Sequence, residues 1–376
     1  MSKNSYKIVV LPGDGIGRDV TPEGVKALKA VTETYDINFE FEEFACGGQY
    51  FLETGREWDE GAFDACKDAD AIFLGAVGWP GANLPDGNIA GAGIIFGLRF
   101  GLDLYANVRP TKLYPGIKHK IHDERKLVWE PGKVDLITVR ENTEGLYSPL
   151  RGRLSRGGIS ELAVDSRVIT RKGSERIIEY AFKLAERRER GSPKDGVKRV
   201  TCVDKANVLE GCRLFRSIYK DIAERHPSIE QDFAYIDAYT QWLVRNPDWF
   251  NVSVTTNMLG DIASDLSAVL GGSLGMAPSG NIGDEHAFFE PVHGSAPKHA
   301  GKDKANPMAM ILSGSMLLDY LGDKFNDSRA VEAGKAVEKA VEKVVLDGKT
   351  LTYDLGGTSR CSDVGSAVAS VIRNSK

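Results

Sequence analysis

A chain of 376 residues, 42% hydrophobic and 27% charged, holds enough apolar material for two domains or one large α/β unit. Its net charge of −5, with acids and bases interspersed, offers no basic face for nucleic acid, and no apolar run approaches the roughly 18 residues of a membrane span. Cysteines at 46, 66, 202, 212 and 361 are odd in number and unpaired in spacing, which reads as buried thiols in a reducing cytoplasm rather than disulfides or a zinc site.

The opening MSKNSYKIVV lacks the apolar core and cleavage site of a signal peptide, and YKIVVL reads as a first strand. PGDGIG follows, then TPEGVKALKAV, where Thr21 is placed to cap a helix and Pro22 to take its first position. The glycine spacing is G-x-G-x-G rather than the G-x-G-x-x-G of a dinucleotide fingerprint. No clear acid follows about twenty residues on, where Thr32 to Asp36 gives only mixed candidates. A tight turn needing glycine torsions explains the run equally well.

INFEFEEF alternates as a strand, and ADAIFLGAVG is a short buried strand running into glycine. VDLITVREN, RVTCVDK, FAYIDAY and FNVSVTTN repeat one form, a strand whose end delivers polar residues. SERIIEYAFKLAERR is an amphipathic helix with Ile177, Ala181 and Leu184 on one stripe. This alternation implies parallel sheets covered by helices, with functional groups gathered at the carboxyl ends of strands. Residues 150–170 interrupt it. They read as a protruding β arm, either pairing with another subunit or lying as a surface hairpin.

NMLGDIASDLSAVLGG places Asp261 and Asp265 four residues apart on one helix face, where like charges cost a few tenths of a kcal/mol. The pair is either a solvated face or a functional one. Small and apolar neighbours, a preceding strand end and a following glycine-rich loop weigh toward function. Beyond it, GGSLGMAPSGNIGD and FFEPVHGSAPKHAGKDKANP offer backbone amides that can approach a phosphate or adenine, with His293 to stack or hydrogen-bond.

DLYANVRP, VRENTEGLYS, DKANVL, TTNMLGDIASDL, GSLGMAPSGNIGD and EPVHGSAP occur in this order after LPGDGIGRDV. On these motifs the chain resembles, almost to its C-terminus, the β-decarboxylating dehydrogenases, which include isocitrate, homoisocitrate, 3-isopropylmalate, and D-malate or tartrate dehydrogenases. The resemblance implies a two-domain isopropylmalate dehydrogenase-like α/β fold with parallel or mixed sheets, not a standard Rossmann fold. A large cofactor-binding domain would comprise 1–105 and 255–376. A small dimerisation domain, 106–254, would carry the arm.

The chemistry implied is oxidation of a 3-substituted malate by hydride transfer to NADP or NAD, loss of CO2 and protonation of the enol. Asp261 and Asp265, with Asp237 from a partner subunit, would bind Mg²⁺ or Mn²⁺, for which hard oxygen ligands are suited. Arg99, Arg109 and Arg140 would grip the carboxylates in forked geometry. Tyr147 would protonate the enol carbon. Lys205, its pKa lowered by burial beside a metal, would act as base on the hydroxyl, and Asn207 would contact substrate or nicotinamide. Because Lys205 and Asp237 reach the other subunit's site in this family, a homodimer with shared sites is implied. A non-catalytic regulatory subunit is the rival reading, but such chains typically lose the tyrosine or metal aspartates, all of which are present here.

Substrate choice in the family is made on the helix before Arg99, here GAGIIFGLR. Isocitrate enzymes usually place Ser and Asn there, and homoisocitrate enzymes a basic residue. Gly93, Ile95 and Phe96 occupy these positions here, so Ile95 and Phe96 either face an alkyl substituent such as the isopropyl group of 3-isopropylmalate or belong to the core. NVRPTKLYPGI is similar to the D-malate and tartrate branch, and the segment from DEHAFFEPVHG to isocitrate enzymes. The cofactor would lie against Ile16, His293, Gly294, Ser295, Ala296, Lys298, His299, Asn306 and Tyr353. NAD-using members normally carry Asp where Lys298 stands, whereas NADP-using isocitrate enzymes carry Lys-Tyr there and a later tyrosine, matched by Tyr353. Their arginine four residues beyond is replaced by Gly357. The balance favours NADP over NAD.

Overall fold

The computed structural model describes residue 3, residues 5–85 and residues 87–376. The chain opens with β1 (Ser5–Gly13), α1 (Gly17–Tyr35), β2 (Asn38–Glu43), α2 (Gly48–Thr54), α3 (Ala62–Asp68), β3 (Ala71–Ala76) and α4 (Ala92–Gly101). Then come β4 (Ala106–Lys112), the short pair β5 (His119–Ile121) and β6 (Glu124–Lys126), β7 (Asp135–Glu141), β8 (Arg151–Arg156) and β9 (Ile159–Asp165). α5 (Arg171–Arg187), β10 (Arg199–Asp204), α6 (Glu210–Ala223), β11 (Glu230–Tyr235), α7 (Ile236–Arg245), β12 (Val252–Thr255) and α8 (Asn257–Leu270) follow. β13 (Pro278–Ile282), β14 (Ala287–Pro291), α9 (Met308–Phe325), α10 (Ser328–Asp347) and α11 (Cys361–Arg373) complete it. The fold class is α/β, in line with the alternating sequence pattern.

Two compact units divide the chain: Met1–Asp103, Lys112–Gly132 and Ala268–Lys376 form the first, and Leu104–Thr111 with Lys133–Ser267 the second. In the first unit the strands run β13-β14-β3-β1-β2, parallel except where β13 meets β14. β1 and β3 are near-continuous apolar runs, with Ile8, Leu11, Phe73 and Leu74 fully buried, as a strand covered on both faces requires. Leu28, Leu317, Leu321, Val337, Val341, Val368 and Ile372 from the flanking helices are also fully buried.

The start of α1 departs from the sequence expectation. Thr21 and Pro22 lie inside the helix, which begins at Gly17. The glycine turn explains the difference: Gly13 and Gly15 take φ of +75° and +56°, and the Ile16 N–H donates to the Ser295 carbonyl at 2.8 Å. A Cβ at Gly15 would stand 2.1 Å from that carbonyl oxygen. PGDGIG is thus a docking turn against Ser295. Its acid is structural: Asp14, fully buried, accepts backbone N–H bonds from Gly48 (2.7 Å), Gln49 (2.8 Å) and Gly78 (2.7 Å).

In the second unit the order is β11-β10-β12-β7-β4, parallel from β11 to β7. Ile177, Ile178, Ala181, Phe182 and Ala185 of α5 are buried with Phe215, Ile218 and Tyr219 of α6, while Leu184 is only half-buried at the stripe's edge. FAYIDAY is not all strand. β11 ends at Tyr235 and Ile236 opens α7, placing Asp237 in a first helical turn, where a carboxylate suits the dipole. β8 and β9 form an antiparallel hairpin in which every residue is exposed. The five cysteines are buried and free. Among the described residues no helix is long and apolar enough to cross a membrane.

Asp14→Ala would strand three backbone donors, one buried and two partly so, at roughly 1–3 kcal/mol each. The expected outcome is a loss of at least about 3 kcal/mol in urea unfolding, read as a lower transition midpoint.

Candidate active site

In the second unit β12 ends at Thr255 and α8 begins two residues later, so its first turns carry Asn257, Asp261, Ser264 and Asp265 from a strand's carboxyl end. β4 and β7 bring up two buried guanidinium groups. Arg140, 2% exposed, donates Nε and Nη2 to Asn257 Oδ1 at 3.1 and 2.7 Å and forms a short ion pair with Asp261 through Nη1. Arg109 Nη1 donates to Ser264 Oγ at 2.8 Å and to Asp265 Oδ1 at 3.2 Å, and lies 3.5 Å from Asp261 Oδ1. Its Nε is buried without a hydrogen-bond partner.

Tyr147 joins this cluster through its hydroxyl, which donates to Asp261 Oδ2 at 3.0 Å. Burial first, then the Asp261 carboxylate, raises its phenol above the ordinary value, so it holds its proton. The turn carrying it is fixed by Glu141, a residue the sequence reading passed over. This buried carboxylate accepts from the Thr143 N–H (2.9 Å), the Thr143 hydroxyl (2.7 Å) and the Glu144 N–H (2.8 Å). Asn257 then ties that turn to α8, donating to the Glu144 carbonyl at 2.8 Å. Burial also raises Asp265, with Asp261 adding to the effect and Arg109 opposing it.

Lys205 and Asp237 meet each other: Nζ lies 2.6 Å from Oδ1, and this contact lowers the Asp237 carboxyl below its usual range. Asp237 is 65% exposed at its side chain. The sequence reading puts Lys205 beside a metal; here its ammonium is engaged by a carboxylate, which a role as base would have to release. Asn207 is exposed, and the DKANVL turn is held from behind by Asp204, which accepts from the Ala206 N–H at 2.8 Å and takes a two-pronged contact from Arg216 at 2.7 and 2.8 Å.

The other expected residues lie in the first unit. Arg99, at the end of α4, is buried with Nε on Asn281 Oδ1 (3.1 Å) and Nη2 3.5 Å from Glu290. Ile94 and Leu98 bury themselves in the core. Ile95 is half-buried, and Phe96, 39% exposed, stacks on Phe100 at 6.0 Å. Neither Ile95 nor Phe96 is a core residue.

The loop from His293 to Asn306 is pinned at several points. Ser295 Oγ donates to the Gly78 carbonyl at 2.5 Å, Ala296 adopts φ +37°, and Asn306 donates to Asp354 at 3.0 Å. His293 is held neutral by burial; its Nδ1 lies 3.1 Å from the Gly294 carbonyl, and Nε2 is buried without a partner, an acceptor suited to a ligand N–H. Lys298 is exposed, His299 stacks on Tyr353 at 5.6 Å, and Lys304 Nζ sits 4.4 Å from the same ring. Arg125 holds the Tyr353 and Asp354 carbonyls at 2.6 and 2.5 Å.

Two hard carboxylates on one face of α8, one destabilised as an anion by burial and its neighbour, fit a divalent cation. Among the described residues no three His, Cys, Asp or Glu side chains converge on a metal position within one chain. A metal seated at Asp261 and Asp265 would meet two carboxylates of this chain and would need its further ligands from outside it.

A family model described as isocitrate/isopropylmalate dehydrogenase matches residues 7–368. The chain is 41% identical over 369 residues to the 3-isopropylmalate/3-methylmalate dehydrogenase of Methanocaldococcus jannaschii, covering 98% of this chain and 99% of that protein. It is 37% identical to the tartrate dehydrogenase/decarboxylase of Pseudomonas putida, with 99% of each covered. Among solved structures it is similar to isocitrate dehydrogenase from Methylococcus capsulatus, at TM-score 0.84 and 36% identity, covering 98% of this chain and 99% of that one.

The Asn257 contacts generate one prediction. Asn257→Ala removes both acceptor contacts on a buried guanidinium and one bond to the 141–148 turn. The expected cost is about 2–4 kcal/mol, measured as a lowered unfolding midpoint.

Proposed function

We propose, from the premise that the chain belongs to the isocitrate/isopropylmalate dehydrogenase family and is a β-decarboxylating dehydrogenase, that it oxidises and decarboxylates a malate bearing an aliphatic group at C3, best matched by 3-isopropylmalate, with NADP as hydride acceptor. The observation that supports it most is the Arg109–Arg140–Tyr147–Asp261 cluster, in which cations, a proton donor and metal-type ligands share one network.

Arg109 and Arg140 bind substrate carboxylates, Arg109 having an unspent Nε–H, and Arg99 serves the same end from α4. Tyr147 gives its proton to the enol carbon after CO2 departs; a phenol raised in pKa is protonated throughout the neutral range. A second copy's Lys205, released by Asp237 and having given its own proton to solvent, takes the proton of the C2 hydroxyl as a neutral amine. Asp261, Asp265 and a second copy's Asp237 would hold a divalent cation, which would supply Lewis-acid polarisation of the substrate oxygen, and a nicotinamide would supply the hydride acceptor. Ile95 and Phe96, uncharged and outside the core, suit an alkyl substituent better than a carboxylate.

The preference for NADP draws on Lys304, whose Nζ lies 4.4 Å from the Tyr353 ring, and on Lys298, the neighbour of the His299 ring that stacks there. The missing arginine at 357 has a steric cause: a Cβ there would lie 1.9 Å from the Leu351 carbonyl oxygen. A homodimer draws on the β8–β9 hairpin. Two strands exposed on both faces, carrying Leu154, Ile159, Leu162 and Val164, are marginal alone and gain cover from a second copy.

The test is reduced-cofactor absorbance with Mn²⁺ and 3-isopropylmalate, isocitrate, homoisocitrate, D-malate or tartrate in turn. The highest kcat/KM is expected with 3-isopropylmalate and NADP. Activity confined to isocitrate refutes the substrate, and a tenfold preference for NAD refutes the cofactor. Tyr147→Phe should lower kcat by about 100-fold or more with little change in KM. Mn²⁺ should raise the Tm of the wild type and leave that of Asp265→Asn unmoved.

A further inference from the structure

Before α4 a carboxylate has taken the helix's own amides. Glu57 Oε1 accepts from the Gly91 N–H at 2.6 Å and the Gly93 N–H at 3.1 Å. A Cβ at Gly93 would stand 2.2 Å from Glu57 Oε2, so no serine fits at 93 while Glu57 keeps this position. The Glu57 backbone is itself held, its carbonyl accepting from the Gly47 N–H at 2.7 Å. Left open, the positive end of a helix is a ready site for an anion. Here that capacity is spent inside the protein, and a full negative charge is fixed within the first residues of the helix that carries Ile95 and Phe96.

We propose that Glu57 is a specificity-determining residue: it excludes substrates whose C3 substituent is anionic and leaves aliphatic substituents as the accepted class. This rests on the reading of α4 as the element that meets the C3 substituent. Two effects act together. The amides that would bind a second carboxylate are occupied, and the occupant repels one. An alkyl group feels neither effect.

The experiment uses the full-length protein with isocitrate as the anionic probe and 3-isopropylmalate as the aliphatic one. Glu57→Gln keeps the carbonyl oxygen that accepts from Gly91 and Gly93 and removes the charge. It should raise the kcat/KM ratio of isocitrate to 3-isopropylmalate at least tenfold, through a lower isocitrate KM, with kcat/KM for 3-isopropylmalate within about twofold of wild type. Glu57→Ala, which also frees the amides, should move the ratio the same way, so a rise in either folded variant supports the proposal. An unchanged ratio in both folded variants, or a parallel fall for both substrates, makes Glu57 only a helix cap and overturns it. Wild-type protein inactive on every malate overturns the underlying reading, and this proposal with it. An active wild type with an unmoved ratio overturns this proposal alone.

Discussion

The buried guanidinium of Arg140 is the constraint around which the second unit's site is organised. A fixed positive charge at 2% exposure is tolerable only when its donors are met, and here Asn257 takes two and Asp261 a third. Satisfying it fixes the rotation of α8 against β7. That rotation sets where Asp261 stands, and Asp261 in turn receives the Tyr147 hydroxyl. Arg109 repeats the arrangement one turn along with Ser264 and Asp265. Without an ion the two acids are neutralised by two arginines, so the like-charge cost of the i, i+4 spacing is offset within the fold itself.

A second device recurs in both units. Carboxylates with little or partial exposure gather backbone N–H groups and so fix the loops that leave the strands. Asp14 holds Gly48, Gln49 and Gly78; Glu57 holds Gly91 and Gly93; Glu141 holds Thr143 and Glu144; Asp204 holds Ala206. Each anchors backbone, and two hold a side chain as well: Glu141 takes the Thr143 hydroxyl and Asp204 the Arg216 guanidinium. Loops set in this way present side chains at defined positions with little ordering left to do on binding.

Much of this was legible in the sequence. Strand periodicity located β1, β3, β7, β10 and β12. Of the residues expected beyond their ends, Arg140 and Asp261 meet in one network, whereas Lys205 pairs with Asp237. Errors came where long-range contacts decide. Thr21 and Pro22 look like a helix start, yet α1 begins earlier because the glycine turn docks on Ser295, nearly 280 residues away in the chain. FAYIDAY reads as strand because its aromatic residues suit one, but the chain turns into helix at Ile236. Asp14, Glu57 and Glu141 were invisible because their partners are mostly backbone amides, which carry no side-chain identity, and Asn257 because the arginine it serves lies 117 residues away in the chain. An acid between two glycines in a turn was the one clue to Asp14.

The turn from Leu351 to Gly357 carries a consequence for redesign. Its main chain folds back so closely that position 357 admits no side chain at all. Transplanting a single basic residue there is closed to this scaffold, and the whole segment would have to be re-routed first. Basic side chains can be exchanged instead at Lys298, His299 and Lys304, where substitutions leave that backbone path alone.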